Sequence, residues 1–297
     1  IIQGLGSPLV LLHVVRLAFL QGRAQDPWSG DFDAFAHDLR QLKDEVAAAV
    51  GRRLVQFTEP LRLADVLPGF FLVTQRYPGR PLRLVDIGAC AGLQLVPECF
   101  EIRYPRVNWC PVTAKASLVS DLDVPPALMA QNLCIADRVG IDLSPVNPAA
   151  PGSAAYLRSF VWPGDATREP RLQAALRAVA SFAPKIHTGT VMDMLPALLN
   201  EYVAADAVTV VIDSATSHYL SHRDNFRLGR LLDQMAARGP LLLITRGGAI
   251  ENSQGLPASV RVVDLSRRWR CAYAATDLLS ERTEWLVPDA HLSTRAA

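Results

Sequence analysis

The sequence predicts an α/β fold: an open, mainly parallel sheet with helices on both faces, an antiparallel edge strand and a helical cap before it. Three observations lead there. Beyond about residue 81, short apolar runs alternate with stretches of helical periodicity, the rhythm of a parallel sheet. The last two apolar runs follow each other without a helix between them, as in an antiparallel edge. The first eighty or so residues have helical spacing and nothing that alternates like a strand.

The elements follow in order. Val10 to Leu20 is apolar but interrupted by His13 and Arg16, so it reads as an amphipathic helix, too short to span a membrane. Asp31 to Val50 opens on a capping Asp and carries Phe32, Phe35, Leu39, Leu42 and Val46 at helical spacings. A further helix is expected from about Pro60 to Arg76, stopped by Pro78-Gly79. Leu82 to Ile87 is a buried strand entering a tight glycine turn and then a helix. Phe100 to Leu122 has strand formers and prolines without a clean period; with a helix near Ala127 to Ala136 it reads as an insertion over about 100–136. Strands are then expected at Arg138–Leu143, Lys185–Thr188, Ala207–Ile212, Pro240–Thr245, Val260–Leu265 and Arg270–Ala274. Helices are expected at Leu195–Tyr202 and Arg223–Arg238. The expected division is a cap over 1–80 and a sheet domain over 81–297.

Composition narrows the function. Of 297 residues, 50% are hydrophobic and 20% charged, with a net charge of +1, enough apolar content for a large core. The near-neutral charge and scattered arginines argue against a nucleic-acid substrate. Five cysteines without a CxxC pair argue against a disulfide framework or structural zinc and fit a reducing cytoplasm. No stable membrane insertion is expected, and the oligomeric state cannot be read.

In such sheets ligands bind beyond the carboxyl ends of the strands. Polar features fall there repeatedly: Asp86 to Gly92, Asp142, Asp193, Asp213 and Arg246-Gly-Gly. The first loop, Asp86-Ile-Gly88-Ala89-Cys90-Ala-Gly92, lacks the second and third glycines of G-x-G-x-x-G, which disfavours a dinucleotide. It resembles instead the first motif of class I methyltransferases, with Cys90 where glycine is usual, and the resemblance implies a Rossmann-like fold and S-adenosylmethionine as cofactor. Asp142, followed by Leu143, stands where such enzymes bind the ribose hydroxyls; it could also cap a turn. Asp193 stands where they bind the adenine amine, with Met192 against the ring, or it caps the following helix. Asp213 and Ser214 end the strongest strand, facing the transferable methyl in the same comparison.

With these motifs in place the chain resembles an uncharacterised bacterial family, domain of unknown function 2332. The resemblance rests on Leu84-Val-Asp-Ile-Gly-Ala-Cys-Ala-Gly-Leu93, Val139-Gly-Ile-Asp-Leu-Ser-Pro-Val146, Phe160-Val-Trp-Pro163, Met194-Leu-Pro-Ala-Leu-Leu199 and Asp213-Ser-Ala-Thr-Ser-His-Tyr-Leu220. It takes in Val55-Gln-Phe-Thr-Glu-Pro-Leu-Arg62 as well. The family has Asn where Thr58 stands and commonly Ser where Cys90 stands. It implies a methyltransferase-like fold and no established reaction.

Methyl transfer needs alignment and exclusion of water more than a particular side chain. His218 and Tyr219 are the candidate base and acceptor-positioning donor. His218 and His222, four apart, lack the Glu of an H-E-x-x-H helix, so no metal is expected. Glu59 and Arg62 would share one helical face, either as a surface ion pair or as a lid presenting catalytic Glu59 and substrate-binding Arg62. Arg246 and Glu251 are further candidates for the acceptor pocket. The expected activity is methyl transfer to a small-molecule acceptor, which the apolar content permits to be lipophilic; a non-catalytic binder of the same cofactor is the alternative.

Overall fold

The computed structural model describes residues 8–50, 55–162, 166–246, 259–276 and 283–285. The chain divides into two compact units, one of residues 1–59 and 146–181, the other of 60–145 and 182–297. The expected boundary near residue 80 coincides with neither. Helix Leu61–Arg76 belongs with the sheet, and residues 146–181 belong with the N-terminal helices.

The N-terminal unit is helical. Helix Pro8–Leu20 packs through Val14, Val15 and Ala18 with Leu42 and Ala49. The helix expected over 31–50 is two, Phe32–Gln41 and Lys43–Ala49, breaking at Leu42. Asp31 caps the first by accepting the Ala34 N–H at 2.9 Å, as expected. His13 and Arg16 interrupt the apolar run because both are used inside. His13 is fully buried, stacked on Phe160 at 4.0 Å with Nδ1 2.6 Å from the Ser159 hydroxyl. Arg16 bonds Asp26 and Glu169. Helices Ser153–Arg158 and Arg168–Ala180 complete the unit.

The second unit carries the sheet. Its strands are β1 (Leu82–Ile87), β2 (Phe100–Arg103), β3 (Asn108–Trp109), β4 (Ala116–Val119), β5 (Ile135–Asp142), β6 (Ile186–Thr188), β7 (Val208–Asp213), β8 (Leu241–Arg246), β9 (Ser259–Asp264), β10 (Trp269–Thr276) and β11 (Thr283–Trp285). Eight of them form one sheet in the order β11-β10-β9-β8-β7-β1-β5-β6. β8, β7, β1, β5 and β6 pair in parallel, whereas β9, β10 and β11 add antiparallel pairs. The expected antiparallel edge is therefore three strands deep. The insertion is a separate small sheet, β3-β2-β4, and the helix within it shrinks to Pro126–Met129 because β5 already begins at Ile135.

On one face Val85, Ile87, Val139, Ile141 and Val211 pack with Leu195, Leu199, Leu228 and Leu232 from helices Val191–Tyr202 and His222–Ala236. Asp86, between Val85 and Ile87, must point to the other face. There it shares a row with Ile212 and Ile244, and beyond them Val262 on β9. Helix Leu61–Arg76 lies on that row. A Cβ on Gly69 would come 2.9 Å from Ile244 and 3.3 Å from Val262, so glycine is what lets helix and sheet approach. Pro68 removes the N–H that would satisfy the Ala64 carbonyl; the Tyr104 hydroxyl donates to it instead, at 2.7 Å. The Tyr273 hydroxyl does the same for Asp65.

Candidate functional site

Chain order reverses at β1: β5 and β6 lie to one side of it, β7 and β8 to the other. Such a switch point leaves a crevice beyond the strand ends. The turn after β1 occupies it.

Gly88 and Gly92 take left-handed φ of +80° and +75°, and Cys90 between them takes +49° despite its side chain. A Cβ on Gly88 would fall 1.8 Å from the Thr216 Oγ1, which donates to the Ile87 carbonyl at 2.8 Å. Four of the turn's N–H groups are turned inward. Those of Gly88 and Ala89 go to the Ile141 carbonyl, that of Cys90 to the Asp142 carboxylate at 2.8 Å, and that of Gly92 to the Ala89 carbonyl. The helix expected after the turn is instead two 3-10 turns, Leu93–Leu95 and Pro97–Cys99; Pro97 cannot continue a helix begun before it. Those four N–H groups are spent inside the protein, so none of them is left for a phosphate.

Carboxylates gather at the same place. Asp86, Asp142 and Asp213 end or nearly end β1, β5 and β7. Asp86 is fully buried and neither of its oxygens has a hydrogen-bond partner. Burial pushes its carboxyl well above the usual range, the neighbouring charges of Asp142 and Asp213 push it further, and the Arg62 guanidinium opposes them. Asp213 is also raised by burial, although Oδ1 accepts the Ser217 N–H at 3.1 Å; its Oδ2 is unpartnered. Asp142 accepts the Cys90 N–H on Oδ2 and the Ser144 N–H on Oδ1, both at 2.8 Å. Both oxygens of Asp142 thus face backbone N–H groups of the two loops that follow β1 and β5.

The other expected residues separate into two groups. Ser214 is buried and receives the Gln94 amide at 3.4 Å, while Leu143 and Tyr219 are about half exposed and His218 lies exposed on the 3-10 turn Thr216–Tyr219. Met192 is half-buried in the first turn of helix Val191–Tyr202, which begins four residues earlier than expected. Its cap is Thr190 rather than Asp193. The Thr190 hydroxyl accepts the Asp193 N–H and donates to the Asp193 carboxylate at 2.6 Å, an N-cap legible as Thr-x-x-Asp.

Two expectations are corrected. Glu59 and Arg62 do not sit one turn apart on a helix, because the helix starts at Leu61. Glu59 is buried in the other unit, its two oxygens held by Arg171 at 3.0 and 3.2 Å and by Arg168 at 3.1 Å. Arg246 is committed to Asp65 at 2.7 Å, both side chains buried, so its charge is not on offer to an acceptor. Glu251 and the Gly247-Gly248 turn lie outside the described residues. Sequence reading missed Thr216, Gln94 and Asp65; only Thr216 had a signal, standing in the Asp213–Leu220 run.

Among the described residues no group of His, Cys, Asp and Glu is arranged to hold a metal, and no helix is long and apolar enough to cross a membrane. All five cysteines are free.

A family model described as an uncharacterized protein conserved in bacteria (DUF2332) matches residues 18–285. No curated protein matches the chain. Among solved structures, WbdD with a kinase inhibitor is similar over 62% of this chain and 29% of its own, at 16% identity and a TM-score of 0.30. DesVI from Streptomyces venezuelae is similar over 73% of this chain and 65% of its own, at 11% identity and a TM-score of 0.30. The chain thus spans less than two thirds of either protein.

Proposed function

We propose that this chain, which belongs to the uncharacterised bacterial family DUF2332, binds S-adenosylmethionine at the β1–β5–β7 strand ends and transfers its methyl group to a small-molecule acceptor. One observation carries the reading: a fully buried Asp86 carboxylate without a hydrogen-bond partner, between the carboxylates of Asp142 and Asp213. A site so acidic suits a cofactor with a sulfonium, an ammonium and ribose hydroxyls, all of them cations or donors. It repels the pyrophosphate of a dinucleotide, and the inward N–H groups of the turn offer that phosphate nothing.

In this reading the cofactor supplies an electrophilic methyl group. Asp142 accepts from the ribose hydroxyls, Asp86 faces the positive charge, and the Gly88–Gly92 backbone gives close approach. Leu143 and Met192 cover the adenine, and Asp193 accepts its amine. Arg62, whose charge already acts on Asp86, meets the methionine carboxylate. Ser214, His218 and Tyr219 face the acceptor, His218 as the base where the acceptor needs one.

The exposure of His218 and the arginine pairing of Glu59 favour a second reading, a protein that binds the cofactor without turnover. Titration calorimetry with S-adenosylmethionine, S-adenosylhomocysteine and NAD decides the first step. Absence of heat with the first two removes the proposal; binding without methyl transfer over a broad acceptor panel selects the second reading.

A further inference from the structure

We propose that Asp86 holds a proton while the site is empty of ligand and surrenders it when a cationic ligand group arrives, so that one proton leaves for each ligand bound. The inference rests on the reading of the site just given and adds how its occupancy is tied to pH.

Asp86 has no access to solvent and no hydrogen-bond partner for either oxygen. An ionised carboxylate in that position is neither hydrated nor paired, the least favourable condition for a charge inside a protein. The charged groups acting on it are Asp142 from β5, Asp213 from β7 and Arg62 from the first turn of helix Leu61–Arg76; His218, after β7, acts on Asp213. With all three carboxylates ionised and one guanidinium opposing them, the cluster carries a net charge of −2 (−3 + 1). Protonating Asp86 halves it. The direction in which burial and these neighbours move the Asp86 carboxyl agrees with that geometry.

A ligand cation does the proton's work. When an ammonium or a sulfonium comes to face Asp86, the carboxylate gains a partner, its O–H bond breaks, the electron pair stays on oxygen and the proton passes to solvent. The charge of the cluster is the same before and after. A neutral or anionic ligand gives no such exchange. Because the proton must leave, affinity rises tenfold per pH unit while unliganded Asp86 is protonated, and levels off once it is ionised.

The test is calorimetric titration of the full chain in two buffers of different ionisation enthalpy. It is run between about pH 5.5 and 6.5, at least one unit below the usual range of an α-amine, so that the ligand ammonium stays charged. The probes are S-adenosylmethionine and S-adenosylhomocysteine. Both carry an ammonium, and only the first carries a sulfonium. Release of about one proton with both assigns the exchange to the ammonium; release with the first alone assigns it to the sulfonium. Asp86→Asn should abolish the release and flatten the pH dependence of whatever affinity remains. Wild-type binding with equal heats in both buffers and no change of affinity with pH would overturn the inference and leave the function reading intact. No binding of either probe would overturn the function reading itself. The buffer comparison needs only the wild-type chain, so it stands even where the variant fails to fold.

Discussion

Gly88→Ala asks whether Thr216 holds the glycine turn in place. The new Cβ would fall 1.8 Å from the Thr216 Oγ1, on a backbone with φ of +80°. Left-handed geometry costs a residue with a side chain roughly 1–2 kcal/mol. Displacing Thr216 also forfeits its bond to the Ile87 carbonyl, about 1 kcal/mol. The single change should therefore destabilise by about 2–3 kcal/mol. Thr216→Ala alone loses the hydrogen bond and should cost about 1 kcal/mol. With Oγ1 gone, the nearest atom to the alanine at 88 is the residue 216 Cβ, 3.2 Å away, a tight contact that a small shift relieves. The double variant then loses the hydrogen bond once instead of twice. It should cost about 2–3 kcal/mol where simple addition gives about 3–4, a coupling near 1 kcal/mol. Urea unfolding of the four proteins, compared at unchanged m, measures it. Strict additivity, or a Gly88→Ala loss well under 1 kcal/mol, would refute the reasoning.

Three further outcomes are expected. Asp142→Ala should weaken S-adenosylmethionine binding by at least about tenfold, since a charge-assisted ribose contact is worth about 1.5–3 kcal/mol; an unchanged dissociation constant would remove the ribose assignment. Asp65→Ala leaves Arg246 buried beside an empty place and should cost about 3–5 kcal/mol, most of it recovered in Asp65→Leu/Arg246→Met; equal unfolding midpoints for single and double variants would count against a buried pair. Unliganded stability should fall as pH rises from 3.8, the ordinary Asp value, toward the raised value of folded Asp86. In that window the folded state binds the proton that the unfolded chain has released. Asp86→Asn should remove this contribution, so its unfolding midpoint should gain on wild type with rising pH, and parallel midpoints would contradict it.

Local signals made the sheet legible. β1, β7 and β8 are short apolar runs buried at nearly every position, so their sequence carries the reading without help from distant residues. Asp86, Asp142 and Asp213 were likewise visible as polar residues at the ends of such runs. What could not be read was pairing over long sequence distance. Arg246 looked available until Asp65, 181 positions away, was found against it. Glu59 looked paired with Arg62 because helical spacing is a local rule; its partners Arg168 and Arg171 come from a helix that periodicity did not reveal. The two 3-10 turns after the glycine loop had a local cause in Pro97, and the sequence reading passed over it.

The interrupted course of the N-terminal unit has a consequence during synthesis. Its first stretch ends at residue 59 and its second at 181, with the 86 residues 60–145 of the other unit made in between. At roughly 5–20 residues per second, the ribosome needs about 6–24 s to pass from residue 59 to residue 181. Until residues 159, 160 and 169 have been made, His13 has neither Phe160 to stack on nor Ser159 to bond, and Arg16 lacks Glu169. The nascent helices must wait half-assembled while the centre of the sheet is being threaded out. Helix Pro8–Leu20 is thus without these partners while β1 to β5 are made, and they follow before β6 to β11.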